Sequence, residues 1–370
     1  SSRGQLTEIL RASEYRGTPR CSVAAYCGGC ALQYLRPEHH ANTKNQWVRD
    51  AFRTVINTDT VQIPISDDVT NYRRRRVRWH IGADAKGYFL GFRARSSHQV
   101  IRQKQCHVLT DALQIVHDAV EPVLNSSIEA VLATQLSNGI HVVLETSKVD
   151  TVAFDLPCTT VGGLALQWWQ YHGSVIRLLS QPVKLLHEEL SAGDETIQVQ
   201  IGPDDFVQGQ FEGNHALVHQ VLEWSMGARR IVDLFSGVGN LSLPLACSTG
   251  TEVTGAEIRE QSVQRANANA RALKVHASYV QANLFGRFDT SLFAGADVLI
   301  LDPPRKGARR VCEAMGRLLP AKIIMVSCDV ASGSRDAAIL HAHGYRMQAL
   351  RALDMFPYAG HVETMSLWTQ

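Results

Sequence analysis

The feature that most restricts the fold of this chain is a strand, a glycine turn and a second strand in its C-terminal half. Residues 231–235 (IVDLF) read as a buried strand, residues 236–240 (SGVGN) as a turn that opens a helix, and residues 251–257 as the next strand. Strand and helix patterns then alternate to the end of the chain. This order predicts a class I, Rossmann-like α/β domain whose ligands bind beyond the carboxyl ends of its strands.

The glycine turn indicates which ligand this domain binds. Gly237 and Gly239 would let the backbone approach a ligand closely, and Glu257, at the end of the second strand, would accept hydrogen bonds from ribose hydroxyls. The turn has the form D-x-F-x-G-x-G and lacks the third glycine of the dinucleotide fingerprint. The pattern therefore favours S-adenosylmethionine over NAD.

Two later strands also end in residues that carry chemistry. Residues 298–301 lead into Asp302-Pro303-Pro304-Arg305, a turn common in methyltransferases that hold a base flipped out of its stack. Enzymes that act on exocyclic nitrogens usually have an aromatic residue next, so Arg305 argues against an amino-group target. Residues 323–326 deliver Cys328 to the same edge, either as a nucleophile or as a small buried hydrophobe.

Three cysteines are clustered near the start of the chain. Cys21, Cys27 and Cys30 have the spacing C-x5-C-x2-C, and Cys106 follows at a distance. Four converging thiolates suit either a cubane iron–sulfur cluster or a structural zinc ion. No apolar run approaches the length of a membrane span and no leader pattern is present, so we expect a cytoplasmic protein with no membrane partner, whose thiols are ligands or nucleophiles.

The net charge of +2 conceals a strongly basic stretch. Residues 71–105 contain ten Lys and Arg against one acid, Asp84. The stretch is interleaved with aromatic residues, which are Tyr72, Trp79, Tyr88, Phe89 and Phe92. Basic groups for phosphates and aromatic rings for stacking predict a surface for single-stranded nucleic acid. The predicted RNA contacts are Arg73, Arg74, Arg75, Arg76 and Arg78.

The other patterns divide the chain. Residues 37–54 have helical spacing, residues 61–167 show short alternating runs typical of an antiparallel β-rich region, and a helix is expected near residues 110–124. The predicted domains are a β-rich iron–sulfur and RNA-binding domain (21–32 and 62–205) and a catalytic domain (33–61 and 206–370). A strand at 5–10 would belong to the end of an OB- or TRAM-like barrel covering residues 1–20, whose front would precede residue 1.

Five motifs together resemble the RNA uracil-5 methyltransferase family, and within it the iron–sulfur 23S rRNA branch with a preceding TRAM-type barrel. The motifs are Cys21-x5-Cys27-Gly-Gly-Cys30, Asp233-Leu-Phe-Ser-Gly-Val-Gly-Asn240, Asp302-Pro-Pro-Arg305, Val326-Ser-Cys328 and Asp354-Met-Phe-Pro357 with His361-Val-Glu363. The resemblance implies formation of 5-methyluridine in 23S rRNA from S-adenosylmethionine, by a protein that we expect to be a monomer.

The resemblance also implies the role of each residue. Cys328 would add to carbon-6 of uracil, and Glu363 would remove the proton from carbon-5. Asp302 and Gln208 would contact the base or the cofactor. The matching cofactor contacts are Phe235, Asn240, Glu257 and Asn283, and the matching ligands of a 4Fe-4S cluster are Cys21, Cys27, Cys30 and Cys106.

The chain departs from the family pattern at several positions, of which Asp329 bears on the chemistry, and three other functions are weighed against this resemblance. Asp329 stands where the family often has Asn, and a carboxylate there should raise the pKa of Cys328 unless it points away or pairs with Arg335. A tRNA uracil-5 enzyme would have the same chemistry, but generally lacks the cysteine cluster. A cytosine-5 RNA enzyme would place a cysteine soon after the acid-Pro-Pro motif. An inactive, metal-containing RNA-binding protein would bind cofactor without transferring methyl groups.

Overall fold

A computed structural model describes residues 7–56, 73–148, 159–180, 185–291 and 293–370. The helices are α1 His40–Phe52, α2 Asp111–Val120, α3 Phe211–Trp224, α4 Ser242–Thr249, α5 Glu260–Leu273, α6 Arg309–Glu313, α7 Met315–Leu318 and α8 Val330–Ala342, with short 3-10 helices at Pro37–His39 and Glu121–Val123. Within these ranges, none of the helices combines the length and the apolar character that crossing a bilayer would require.

The strands of the described residues form two sheets and one hairpin. Those of the first sheet are β1 Arg76–Asp84, β2 Gly87–Arg93, β3 Val100–Arg102, β4 Ile128–Gln135, β5 Gly139–Thr146, β6 Thr160–Val161, β7 Leu164–His172 and β8 Val175–Leu178. The hairpin consists of β9 His187–Ala192 and β10 Glu195–Gln200. Those of the second sheet are β11 Arg230–Leu234, β12 Glu252–Glu257, β13 Ala277–Gln281, β14 Val298–Leu301, β15 Lys322–Ser327, β16 Arg346–Leu353 and β17 Glu363–Thr369.

The second sheet confirms the predicted Rossmann-like fold. Its strand order is β13-β12-β11-β14-β15-β17-β16, with the first five strands parallel and β17 antiparallel to both neighbours. Apolar clusters cover both faces, as a sheet with crossover helices requires. Strand β11 ends at Leu234, one residue earlier than predicted, because Phe235 has a positive φ of 68° and leaves the extended conformation.

The first sheet has the predicted β-rich character but is not wholly antiparallel. Its order is β3-β2-β1-β4-β5-β7-β6, and β5 and β7 run parallel. Helix α2 begins at its Thr110 cap and packs its apolar residues against this sheet. Of the aromatic residues predicted to stack on RNA, Trp79 and Phe89 are buried, Tyr88 is exposed, and Tyr72 lies outside the described residues. The stacking prediction is therefore wrong for Trp79 and Phe89, which serve the core.

Two segments distant in sequence pack on the second sheet. Val48 and Phe52 of α1 share an apolar cluster with β11 and β14, while Leu190 of β9 and Ile197 of β10 join the cluster on the opposite face. The predicted boundary between residues 205 and 206 thus falls after a hairpin that packs on the second sheet. The domain limits themselves stay predictions.

The strand expected at residues 5–10 is not formed where the structure describes it. Residues 7–10 have no strand conformation, and residues 5 and 6 lie outside the described ranges. Leu10 is 90% exposed, so this segment has no apolar surface to pair against. The prediction of a barrel over residues 1–20 has no support from the part that is described.

Candidate active site

The predicted functional residues of the second sheet meet at one edge. Because β12, β11, β14 and β15 are adjacent and parallel, their carboxyl ends bring together Glu257, the glycine turn, Asp302 and Cys328. Strand β17 runs the other way, so its first residue, Glu363, lies at the same edge. This edge of the sheet can therefore be divided into two halves. One half contains the glycine turn and Glu257, and the other half contains Cys328, Asp302 and Glu363.

The glycine turn is held against Glu257. The backbone N–H of Gly237 donates to Glu257 Oε2 over 3.2 Å, and the N–H groups of Ile258 and Arg259 donate to Oε1 over 2.8 and 3.0 Å. Gly239 has a φ of 91°, and a Cβ there would lie 2.7 Å from Leu243 Cγ. The turn thus needs glycine at this position, and the carboxylate is fixed in place by three backbone donors.

Asn240, the last residue of this turn, and Asn283, which follows β13, each have defined partners. The amides of Asn240 and Asn214 exchange hydrogen bonds of 2.8 and 3.0 Å. Asn283 Oδ1 accepts from the N–H of Phe285 over 3.1 Å, and the Phe285 ring lies 5.5 Å from that of Phe235. Asn214 and Phe285 were not predicted, because neither belongs to a local motif.

A buried carboxyl supports the turn from below. Asp233, 1% exposed, accepts a 2.5 Å hydrogen bond from the Ser242 hydroxyl, which contacts Tyr279 Oη at 3.0 Å. Burial raises the pKa of Asp233 to about 7, and the charges of Asp302 and Glu257 add to the effect. This network joins β11, α4 and β13 beneath the turn.

The other half of the edge groups two carboxyls with the thiol. Gln208 Nε2 donates to Asp302 Oδ2 over 3.0 Å. Burial raises the pKa of Asp302 to about 7, and burial together with Asp302 raises the pKa of Glu363 well above its ordinary range. Burial, Glu363 and Asp302 raise the pKa of Cys328 to about 12, whereas Arg305 lowers it. In the free protein the thiol is protonated at neutral pH.

Asp329 does not face the thiol as a free carboxylate. Its Oδ1 accepts from the N–H of Ser332 over 2.8 Å and caps the N-terminus of α8. Arg335 pairs instead with Asp336, at 2.7 Å, so the alternative of an Asp329–Arg335 pair is wrong. Asp329, the residue that departs from the family pattern, therefore serves as the N-cap of α8.

Arg305 contacts His361 of the segment that precedes β17. Its Nη2 lies 3.2 Å from His361 Nε2. Burial and the charges of Arg305 and Arg74 lower the pKa of His361, so the imidazole is neutral and accepts the hydrogen bond. The guanidinium is thereby held near Cys328.

Lys44 and Asp354 form a buried ion pair that the sequence reasoning missed. Lys44 Nζ lies 2.6 Å from Asp354 Oδ1, and neither side chain has exposed area. A signal was present, because Lys44 shares an i+4 stripe of α1 with His40, Val48 and Phe52, all of which are buried. A lysine on the apolar stripe of a helix indicates an internal partner.

The four cysteines predicted to hold a cluster come from neighbouring segments. Cys27 forms an isolated bridge with Ala94, and burial raises the pKa of Cys30, with added contributions from the charges of Cys27 and Cys21. Burial raises the pKa of Cys106 to about 12, and Cys30 and Cys21 contribute. The thiols are thus electrostatic neighbours. Nevertheless, the described part of the chain contains no group of three or more His, Cys, Asp or Glu arranged to hold a metal ion.

The five arginines predicted to bind RNA separate into different environments. Arg73 and Arg78 are exposed, although Arg78 pairs with Glu145. Arg74 and Arg76 are half-buried, and Arg76 lies over the Phe206 ring, 5.2 Å from its centroid. Arg75 is fully buried.

The prediction of an RNA contact is wrong for Arg75. Its Nη1 lies 2.5 and 2.6 Å from the Glu188 carboxylate, and its Nε donates to the carbonyl of Gln208 over 2.8 Å. A guanidinium with no exposed area cannot reach a phosphate. Arg75 instead connects the first sheet to the hairpin and to the residue that contacts Asp302.

Comparison with known proteins provides independent information. Residues 198–321 match the family described as "Methyltransferase small domain". The 23S rRNA (uracil(1939)-C(5))-methyltransferase RlmD of Marinomonas sp. (strain MWYL1) is 33% identical over 98% of this chain and 83% of that protein. The RlmD protein of Shewanella frigidimarina is 32% identical over 99% of this chain and 85% of its own length.

One solved structure resembles almost the whole chain. The tRNA (uracil-54, C5)-methyltransferase of Pyrococcus abyssi, crystallised with S-adenosyl-L-homocysteine, superposes with a TM-score of 0.74 at 22% identity. The match covers 98% of this chain and 88% of that one. At this identity the likeness shows a shared fold.

Proposed function

Because this chain belongs to the family of 23S rRNA (uracil-C5)-methyltransferases, we propose that it methylates carbon-5 of a uridine in 23S rRNA, with S-adenosylmethionine as the methyl donor. The observation that carries the proposal is the placement of Cys328 beside Glu363 and Asp302, at the edge that also holds the glycine turn. The uridine equivalent to position 1939, named in the relatives, is the proposed target. A 23S rRNA substrate implies a cytoplasmic location.

The reaction uses the thiol and the carboxylate in sequence. Carbon-5 of uracil is a weak nucleophile, so Cys328, after losing its thiol proton to solvent, adds as a thiolate to carbon-6 and converts the base into an enolate. When bound, S-adenosylmethionine supplies the methyl group to carbon-5. Glu363 then takes the proton from carbon-5, the electrons of that C–H bond form the 5,6 double bond, and the C6–S bond breaks to release Cys328 as a thiolate.

Neighbouring groups prepare these steps. The positive charge of Arg305 favours the thiolate of Cys328, against the two carboxyls that disfavour it. Glu363 is 1% exposed, and its raised pKa makes it a stronger base than an exposed carboxylate. Asp302 and Gln208, joined by a hydrogen bond, are proposed to contact the polar edge of the uracil.

The other half of the edge is proposed to bind the cofactor. Glu257 would accept from the ribose hydroxyls, and the backbone at Gly237 and Gly239 would line the approach. Phe235 and Asn283 would contact the adenosine portion, with Phe285 extending the apolar wall. Asn240 would contact the same ligand from its pair with Asn214. These assignments rest on the placement of the side chains around the turn.

We also propose that Cys21, Cys27, Cys30 and Cys106 hold a 4Fe-4S cluster. The chemistry of the donor set supports this, because four soft thiolates suit iron–sulfur or zinc centres, and all four cysteines are free and half-buried. Metal analysis after anaerobic purification tests it: iron and sulfide that disappear in Cys30→Ser would support a cluster, whereas zinc would replace that assignment.

The function is tested with 23S rRNA fragments containing 5-fluorouridine. Fluorine replaces the proton that Glu363 would remove, so the reaction should stop as a covalent protein–RNA complex visible by intact mass. The adduct should map to Cys328 and be absent in Cys328→Ala, which should keep its affinity for S-adenosylhomocysteine. Adduct formation only with tRNA would reassign the substrate, and no adduct with either RNA would contradict the function.

A further inference from the structure

The turn that leads into Glu363 is held by residues from outside the second sheet. Residues 354–362, called here the catalytic turn, connect β16 to β17, and Leu353 pairs across these strands with Glu363. Asp354, the first residue of the turn, is therefore the chain neighbour of the residue opposite Glu363. Asp354 is thus one peptide bond and one strand pairing away from Glu363, so a displacement of Asp354 is expected to displace Glu363 as well.

Lys44 makes two hydrogen bonds to this turn. Its Nζ donates to Asp354 Oδ1 over 2.6 Å and to the carbonyl of Phe356 over 2.9 Å. The N–H of Phe356 donates to the same Asp354 oxygen over 3.2 Å. One ammonium group thus joins two points of the turn, and both charged side chains are inaccessible to solvent.

The segment that carries Lys44 makes further contacts with the turn. The N–H of Leu32 donates to the carbonyl of Tyr358 over 2.7 Å, and the His40 ring meets the Tyr358 ring edge-on at 5.2 Å. Tyr358 has a φ of 60°, a conformation that a tyrosine adopts only when its surroundings enforce it. The segment 32–44 therefore holds the turn in a conformation that it would not favour alone.

The choice of an ion pair at this place is informative. Burying two charges costs desolvation energy, and a pair of apolar side chains of similar size usually gives equal or greater stability. An apolar pair could not, however, donate a hydrogen bond to the carbonyl of Phe356 or accept one from the N–H of Phe356. The contribution of the buried ion pair is therefore to fix the geometry of the turn, because an apolar pair could replace its contribution to stability but not its hydrogen bonds.

We propose that Lys44 and Asp354 are positioning residues that hold Glu363 in place for removal of the carbon-5 proton. This inference rests on the function proposed above. Lys44 bonds to Asp354 and Phe356 of the catalytic turn, which leads into Glu363, whereas Cys328 follows β15. The pair therefore acts more directly on proton removal than on addition and methyl transfer, to which the same turn contributes through the contact of His361 with Arg305. Loss of the pair slows the final step, in which Glu363 accepts the proton and the C6–S bond breaks.

The test uses ordinary uridine in the rRNA fragment and three variants. Lys44→Met leaves Asp354 buried and unpaired, so it also destabilises the protein. Lys44→Met/Asp354→Asn removes both charges and keeps an oxygen for the N–H of Phe356, which should restore stability but not the bond to the Phe356 carbonyl. Lys274→Met alters a lysine at the C-terminal end of α5, away from the catalytic turn, and is the matched control.

The expected result is specific to one step. The double variant should melt close to the unaltered protein and bind S-adenosylhomocysteine equally well, yet turn over about 100-fold more slowly and accumulate a covalent, methylated Cys328–RNA complex. Lys274→Met should behave as the unaltered protein does. Full turnover in the double variant, or equal loss of adduct formation and turnover, would overturn the inference. If the unaltered protein forms no adduct with 5-fluorouridine RNA, it is the proposed function that fails.

Discussion

Ser327 of β15 pairs with Thr364 of β17 in antiparallel register, so that Cys328, which follows Ser327, and Glu363, which precedes Thr364, lie at the same edge of the sheet. The proposed nucleophile and the proposed base thus come from adjacent strands, although they are far apart in sequence. This proximity explains why the charge of Glu363, after burial, raises the pKa of Cys328.

Glu363→Gln should stop the reaction after methyl transfer. An amide cannot accept the carbon-5 proton, so turnover should fall by about 10²- to 10⁴-fold while the methylated covalent complex accumulates with ordinary uridine RNA. In the unaltered protein kcat should fall as the pH drops through the raised pKa of Glu363, because protonation removes the base that acts after methyl transfer. Rapid-quench assays with intact-mass detection would check the complex, and a variant that turns over normally would exclude Glu363 as the base.

Asp302→Asn should stabilise the protein, increasingly so as the pH rises. The pKa of Asp302 is about 7 in the folded state against an ordinary 3.8, so the folded state binds the proton more tightly and stability is lost as pH rises from about 4 to about 7. Asparagine carries no such proton. The free energy of unfolding of the Asp302→Asn variant should therefore exceed that of the unaltered protein by at most about 4 kcal/mol at pH 8, and by less at pH 5.

Denaturant unfolding at both pH values measures this difference. The same comparison in a Glu363→Gln background separates Asp302 from its neighbouring carboxyl. A difference that is constant with pH would show that Asp302 is ionised in the folded state throughout.

Arg73→Ala/Arg78→Ala should weaken RNA binding in a salt-dependent way. Both side chains are exposed, so each can neutralise one phosphate and release counterions. The slope of log K against log salt should fall by about 0.7 to 0.9 for each phosphate that is no longer neutralised. Binding titrations at several salt concentrations would show this, and an unchanged slope would mean that these arginines do not touch phosphates.

Arg75→Met should act on stability and not on the salt dependence. Removing the guanidinium leaves the Glu188 carboxylate buried without its partner, at an expected cost of about 3–5 kcal/mol in the free energy of unfolding. Arg75→Met/Glu188→Leu should recover most of that loss. A reduced salt slope in a folded Arg75→Met protein would contradict its assignment to the interior.

Local patterns predicted much of the fold. The strand at residues 298–301 agrees with β14, the helix near residues 110–124 agrees with α2 and its 3-10 extension, and the predicted glycine turn follows β11, with a positive φ at Gly237 and Gly239. These features depend on residues only a few positions apart in sequence. At that range, hydrophobic periodicity and the conformational freedom of glycine determine the local backbone structure. The basic stretch was harder to interpret, because a charge count does not distinguish the buried Arg75 from the exposed Arg73.

The sequence by itself determined the α/β order, the glycine turn and the strand ends that carry Asp302 and Cys328, because hydrophobic period and turn chemistry are short-range properties. Only the tertiary structure decided which distant groups meet. Gln208 reaches Asp302 across 94 residues, and Lys44 reaches Asp354 across 310. Such contacts depend on how helices and strands pack. Packing also sets burial and hence the pKa values of the carboxyls and the thiol, which no single segment of the sequence contains.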